Sequence, residues 1–327
     1  MGIYDGSHLG QHQGKSRELI QTAVNLLEHC KLVSAAKDRE SKTKLENIKF
    51  PLIGNSFLKA KDKSSAAKVY IAQGENAIVI AFRGSGANNV KNTLKNMLAD
   101  LDIILTKDRK YGFPGLVHKG FLSEYAQLRS QLIEYFSKTN YQKRGVTVYI
   151  TGFSLGAALA VLCAYDLAQK YKINPHVYLF AAPAVGNHDF TRQFEQKIST
   201  VFRFAHEKDI VSQIPHCLVC EYKATGPKLL VFDNNGKQVH HDKIKLQIKV
   251  DRVAALAALS NGTRRAALLS VILKLASTFI IYHRPEYYKK KIARFHRNYN
   301  DCNQRNSDLS QAAEKQYQEC QQHCLGL

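Results

Sequence analysis

The chain of 327 residues is long enough for one large α/β domain or two small ones, and its 45% hydrophobic content can fill a real core. Its 47 lysines and arginines against 27 acidic residues leave a formal charge of +20, which favours contact with anionic surfaces. No zinc-finger spacing or RNP-like aromatic motif accompanies that charge, so nucleic acid is the weaker partner and acidic lipid head groups the expected one.

The start of the chain, Met1 to Ser7, lacks the charged and apolar regions of a secretory signal, and Gly6 stands where myristoylation wants Ser or Thr. Seven cysteines, an odd number scattered from Cys30 to Cys324, do not form a disulfide framework and suit a reducing compartment. Cys217, Cys220, Cys320 and Cys324 lack the usual zinc spacing, so neither metal nor cofactor is expected. The expected location is the cytoplasm, or outside it by a route needing no classical signal, with peripheral membrane contact. The most apolar segment, Ala266 to Tyr282, contains Lys274 and is short for a membrane span.

In chain order, Ser16 to Leu32 carries apolar residues at helical spacing. After a polar connection, Lys68–Gln73 and Ala77–Phe82 read as a β-hairpin around Gly74-Glu75-Asn76. Arg83-Gly84-Ser85-Gly86 follows, then a stripe of Val90, Leu94, Met97, Leu98 and Leu101 on a predicted helix. Lys107 to Val117 is a basic loop, and a helix is expected over Gly120 to Phe136.

Next comes the stretch with the most chemistry in it. Val146 to Thr151 is a β-branched and aromatic run that reads as a buried strand, and Ala157 to Leu167 reads as a buried, alanine-rich helix. Between them lies Gly152-Phe153-Ser154-Leu155-Gly156. A G-x-S-x-G turn between strand and helix lifts a serine onto a tight corner and lets neighbouring backbone approach the glycines. The N-terminus of the following helix points at Ser154, where its N–H groups and dipole can hold an oxyanion.

A strand at His176–Phe180, a helix over Phe190–Ile198 and a strand at Thr200–Phe204 complete a βαβ rhythm, which predicts an α/β fold with a mostly parallel sheet. Glu221 to Lys249 reads as an antiparallel excursion turning at Asp233–Gly236. Arg252 to Ile281 is expected to be helical, followed by a basic stretch from Arg284 to Arg297 and a polar tail from Asp301. One domain over residues 1–300 with a tail over 301–327 is the expected division.

A serine needs a histidine to take its proton and an acid to hold that histidine, in the chain order Ser, acid, His for this kind of fold. Asp209, in the loop after the Thr200–Phe204 strand, is the best acid; Asp189 and Asp233 read as surface or turn residues, and Asp166 as solvated on the helix after Ser154. His240, His241 and His283 all follow Asp209, and spacing alone does not choose among them.

From about Val69 to Lys290 the chain resembles the class 3 lipases, the fungal-lipase-like branch of the α/β-hydrolases. The resemblance runs through Phe82-Arg-Gly-Ser85, Asn96-Met-Leu-Ala-Asp-Leu101, Val117-His-Lys-Gly-Phe121 and Thr151-Gly-Phe-Ser-Leu-Gly156. It continues through Phe180-Ala-Ala-Pro-Ala-Val-Gly-Asn187, Asp209-Ile-Val-Ser-Gln-Ile-Pro215 and His283-Arg-Pro-Glu-Tyr-Tyr288. It implies an α/β-hydrolase with a helical C-terminal extension and a Ser154–Asp209–His283 triad. It also implies an oxyanion hole from Ser85 and Leu155, and a lid over Gly86–Leu98. Met97, Ala181, Ala184 and Ala224 depart from the residues usual in the family, which bears on substrate shape rather than on the triad. The function implied is hydrolysis of a lipid ester, by a triacylglycerol lipase or a phospholipase. The alternatives are an acyltransferase or thioesterase on the same triad, or an inactive lipase-like scaffold.

Overall fold

The computed structural model describes residues 13–35, 52–59, 67–84, 104–138, 145–209, 211–213, 221–226, 228–233, 235, 238–239, 282–295 and 297. Outside them fall the expected helices of Ala87–Asp102 and Arg252–Ile281, with the Gly86–Leu98 lid, Ser85, Met97, His240 and His241. Cys217, Cys220 and the tail from Asp301 fall outside them as well.

An eight-stranded sheet runs through the molecule in the order β1-β2-β3-β6-β7-β9-β11-β12. Its central strands β3 (Ala77–Phe82), β6 (Thr147–Phe153), β7 (His176–Phe180), β9 (Thr200–His206) and β11 (Lys228–Phe232) are mutually parallel. The predicted hairpin is present, with β2 (Lys68–Gly74) antiparallel to β3. Sequence patterning had not marked β1 (Leu52–Lys59), which pairs antiparallel with β2 at the sheet edge. The segment after Glu221 corrects its expectation in part. β11 and β12 (Gln238–Val239) do form an antiparallel pair around Asp233–Gly236, but β11 joins β9 in parallel and so extends the main sheet.

Both faces of this sheet are covered, which is why its strands are apolar at consecutive positions. Val69, Ile71, Ile78, Ile80, Val148, Ile150, Val177 and Leu179 point to one core; Tyr70, Ala72, Val79, Ala81, Tyr178, Phe180, Phe204 and Phe232 point to the other. The first core is closed by helices α2 (Lys119–Lys138), α3 (Leu155–Tyr171) and α4 (His188–Lys197), the second by α1 (Gln13–Ala35) and α5 (residues 285–295).

Each helix shows its cause in the sequence. In α2, Phe121, Tyr125, Leu128, Leu132 and Phe136 make one apolar stripe, and the His118 ring caps its start by accepting from the N–H groups of Gly120 and Phe121 at 3.0 and 3.3 Å. From Leu155 to Ala168 every residue of α3 is buried, as an all-round apolar helix must be. Asn187 caps α4, its side chain accepting from Phe190 N–H at 3.0 Å and Leu116 N–H at 3.1 Å. Asp166, expected to be solvated, is buried instead. Its carboxylate accepts from Tyr125 Oη at 2.8 Å and from Arg129 at 2.7 and 3.0 Å, clamping α2 to α3.

A small second sheet, β10-β8-β5-β4, comprises Tyr222–Lys223, Gly186–Asn187, Val117–His118 and Leu105–Thr106, two residues each. Strands this short leave no alternating pattern to read. Among the described residues no helix is long and apolar enough to cross a membrane.

Candidate active site

Ser154 stands at the junction of β6 and α3 with φ 57° and ψ −124°. A non-glycine residue at positive φ costs on the order of 1–3 kcal/mol and persists only where its surroundings fix it. Here Ser154 N–H donates to Phe180 O on β7 at 2.9 Å, and Ser154 O accepts from Ala157 N–H at 2.9 Å to begin the helix. Three glycines make the corner possible. A Cβ on Gly152 would collide with the carbonyl of Gly156; one on Gly156 would lie 2.7 Å from Arg83 O, and one on Gly84 2.7 Å from Phe153 O. The end of β3 therefore passes directly behind the serine turn. The Ser154 side chain is buried, and its hydroxyl has no hydrogen-bond partner among the described residues.

Asp209 ends a tight turn just beyond β9, its N–H donating to His206 O at 2.9 Å. The carboxylate is fully buried and saturated with donors: His283 Nδ1 at 2.8 and 3.0 Å, Tyr288 Oη at 2.7 Å and Val211 N–H at 2.9 Å. A buried carboxylate so supplied is held in one orientation. Ser212 Oγ donates to Asp209 O at 2.8 Å and secures the following 3₁₀ turn, Val211–Gln213.

His283 comes from the other direction, just before α5. With Asp209 accepting from Nδ1, the imidazole presents Nε2 as an acceptor, and Nε2 has no partner among the described residues. The ring packs on Phe153, the residue preceding Ser154, at 4.9 Å between centroids, and Tyr288 closes on the same phenyl edge-on at 5.4 Å. The structure thus brings Asp209 and His283 into hydrogen-bonded contact and sets their pair against the serine turn. Leu155 is the first residue of α3, where its N–H has no acceptor within the helix; Ser85 lies outside the described residues. Asp189 is on the surface with Arg192 at 2.9 Å, and Asp233 accepts from Asn235 N–H at 2.7 Å in its turn.

Two residues had no role from spacing. Tyr288 is buried, donates to Asp209 and accepts from His206 N–H at 3.0 Å. Burial, reinforced by the Asp209 charge, pushes its phenol well above the ordinary range and keeps it a donor. The signal was its place in His283-Arg-Pro-Glu-Tyr-Tyr288. His206 is buried beside Tyr282 and Tyr287; burial depresses its pKa to about 4, with Lys291 and Lys208 acting in the same direction and Asp209 against them.

Comparison with known proteins bears on the same region. Residues 79–219 match the family described as Lipase (class 3). Secreted mono- and diacylglycerol lipase A of Penicillium cyclopium is 28% identical over 187 residues, 56% of this chain and 57% of that protein. A lipase of Rhizomucor miehei is 31% identical over 181 residues, covering 53% and 47% of the two chains. The chloroplastic phospholipase A(1) DAD1 of Arabidopsis thaliana is 32% identical over 155 residues, covering 43% and 34%. The chain thus spans about half the length, or less, of the curated relatives it matches. In three dimensions it resembles the lipase from Rhizopus microsporus var. chinensis with TM-score 0.53 at 21% identity, over 66% of this chain and 75% of that one. The Rhizomucor miehei lipase in its propeptide complex gives TM-score 0.53 at 23% identity, over 68% and 71%. Residues 79–219 thus resemble the class 3 lipase family, and the chain shares the fold of the solved lipases, a mostly parallel sheet flanked by helices.

Proposed function

We propose that this protein is a serine carboxylic-ester hydrolase acting on lipid, with Ser154 as nucleophile, His283 as general base and acid, and Asp209 as the group that orients His283. One observation carries the reading. A buried serine hydroxyl without a partner among the described residues sits on a positive-φ turn, whose Phe153 packs on a histidine with Nδ1 held by a buried carboxylate and Nε2 unpaired among the same residues. In this reading Ser154 Oγ attacks the ester carbonyl as His283 Nε2 takes its proton. The N–H of Leu155 and the expected N–H of Ser85 receive the charge on the carbonyl oxygen. The imidazolium, steadied by Asp209, returns its proton to the leaving alcohol, and water then releases the acyl group by the same route. The relatives named above are called mono- and diacylglycerol lipase, lipase and phospholipase A(1), which favours a glycerolipid substrate. A triacylglycerol lipase of similar fold is described as having a serine protease triad as its catalytic centre, which favours the same division of labour.

The test is hydrolysis of a glycerolipid panel by the purified chain and by Ser154→Ala, followed by mass spectrometry of the released acyl groups. A fall in kcat of roughly 10⁴-fold or more is expected on removing the nucleophile; a Ser154→Ala protein with full activity refutes the assignment.

Contact with an anionic membrane belongs to the same reading. On α5, Pro285, Tyr288 and Ile292 face the core while Lys290 and Arg294 are exposed, with Arg284 before the helix and Arg297 after it. Such a row contributes about 1 kcal/mol per cation at an acidic bilayer and fades with salt. Co-sedimentation with phosphatidylserine vesicles should weaken on raising salt and on replacing Lys290 and Arg294 by glutamine; binding indifferent to both removes this part.

A further inference from the structure

The hydrolase reading needs Asp209 and His283 aligned to a fraction of an ångström, yet they come from segments 74 residues apart. Asp209 sits in a four-residue turn that starts at His206, the last residue of β9. Two hydrogen bonds on His206 shape this turn: His206 O accepts from Asp209 N–H at 2.9 Å, and its ring Nδ1 accepts from Lys208 N–H at 3.1 Å. Because Nδ1 accepts, the ring proton is on Nε2, which reaches Tyr287 Oη at 3.5 Å.

This ring packs in a cluster with two tyrosines that bracket His283 in the chain. Tyr282 lies parallel to it, 5.0 Å between centroids at 4°, and Tyr287 stands edge-on at 5.0 Å and 82°. The two tyrosines also pack on each other at 5.5 Å and 83°. Cations complete the outer layer, with Lys208 Nζ 5.7 Å from the Tyr282 ring and Lys291 Nζ 4.7 Å from the Tyr287 ring. Tyr288 adds a third tie, accepting from His206 N–H and donating to Asp209. Three tyrosines of one short segment therefore grip the first residue of the turn that carries the acid.

We infer that His206 is a positioning residue for the Asp209–His283 pair: packed against Tyr282 and Tyr287, it locks the acid-bearing turn to the histidine-bearing segment. It touches no substrate and transfers no proton. The inference rests on the hydrolase reading for its effect on turnover, but the geometry of the pair can be followed without turnover.

The experiment uses the full chain with His206→Ala, His206→Asn, which keeps an acceptor for Lys208 N–H, and Tyr282→Leu, which removes the stacking face. Steady-state kinetics on a short-chain diacylglycerol are measured beside the proton NMR signal of the His283 Nδ1–H. For His206→Ala the expected result is a roughly 10- to 100-fold lower kcat with KM changed less than about threefold. The acid limb of its pH profile should move to lower pH as the imidazolium loses its aligned partner, and the His283 signal should broaden. His206→Asn should recover much of the loss, and Tyr282→Leu should fall between. Should His206→Ala fail to fold, the contrast between His206→Asn and Tyr282→Leu decides. A His206→Ala protein with wild-type kcat and an unchanged His283 signal overturns the inference, as does a loss of activity that only tracks the unfolded fraction. If the wild type cleaves no ester while its His283 signal still depends on His206, the hydrolase reading fails and the coupling stands.

Discussion

At the scale of single residues the site is built from groups whose roles are set by what they are denied. Ser154 Oγ and His283 Nε2 are buried without partners among the described residues, whereas every donor and acceptor around Asp209 is used. Tyr288 ties Asp209 to the end of β9, because one hydroxyl serves both Asp209 and His206 N–H. Tyr288→Phe leaves a buried N–H unpaired and the carboxylate short of one donor. It should lower stability by about 1–3 kcal/mol and reduce kcat, as read from denaturant midpoints and from initial rates on the same preparations. An unchanged midpoint would mean that water takes the place of the hydroxyl. Ala181 also sits at positive φ (51°), fixed by its N–H bond to Phe204 O at 2.9 Å.

At the scale of elements, α3 is the helix enclosed along most of its length. It begins at the serine and is bolted to α2 through Asp166, Tyr125 and Arg129. Asp166→Ala leaves a partly buried guanidinium and a buried phenol without their acceptor. It should cost roughly 2–3 kcal/mol, measured as the urea midpoint, with kcat of the folded protein close to wild type. A fall in kcat without a fall in stability would place the clamp in the chemistry instead.

For the whole molecule, the acid side of the stability curve follows from buried imidazoles. Burial lowers the pKa of His206 from 6.5 to about 4, and burial lowers that of His29 as well. A depressed histidine pKa means that the unfolded chain binds a proton the folded chain refuses. Stability is therefore complete above pH 6.5 and is lost as pH falls toward about 4, by on the order of 2–3 kcal/mol from His206. Thermal melts between pH 7 and 4.5 should show this slope, and it should be shallower in His206→Asn; equal slopes would assign the acid loss to other groups.

The serine corner is legible because all of it is local: strand, glycine-flanked turn and helix lie in one continuous stretch, and each follows from neighbours a few residues away. The continuous apolar runs of β2, β3 and β7 and the stripe of α2 are local in the same sense. Asp209 could be picked out as the acid because it follows a strand of the sheet. His283 could not be chosen over His240 and His241 by spacing, and only the family motif singled it out. Strand β1 and the two-residue strands of the second sheet escaped notice because their pairing comes from partners elsewhere in the chain.

What the amino-acid order determined by itself was thus the parallel core and the serine turn, through apolar strand runs, helical stripes and the steric freedom of glycine. Tertiary structure alone decided which face of α3 swallowed Asp166, that β11 would run parallel to β9, and that a ring at position 206 would be gripped by tyrosines from beyond residue 280. Those outcomes depend on which distant surfaces meet when the sheet closes. A contact between residues far apart in the chain leaves no periodic trace in either of the segments that make it.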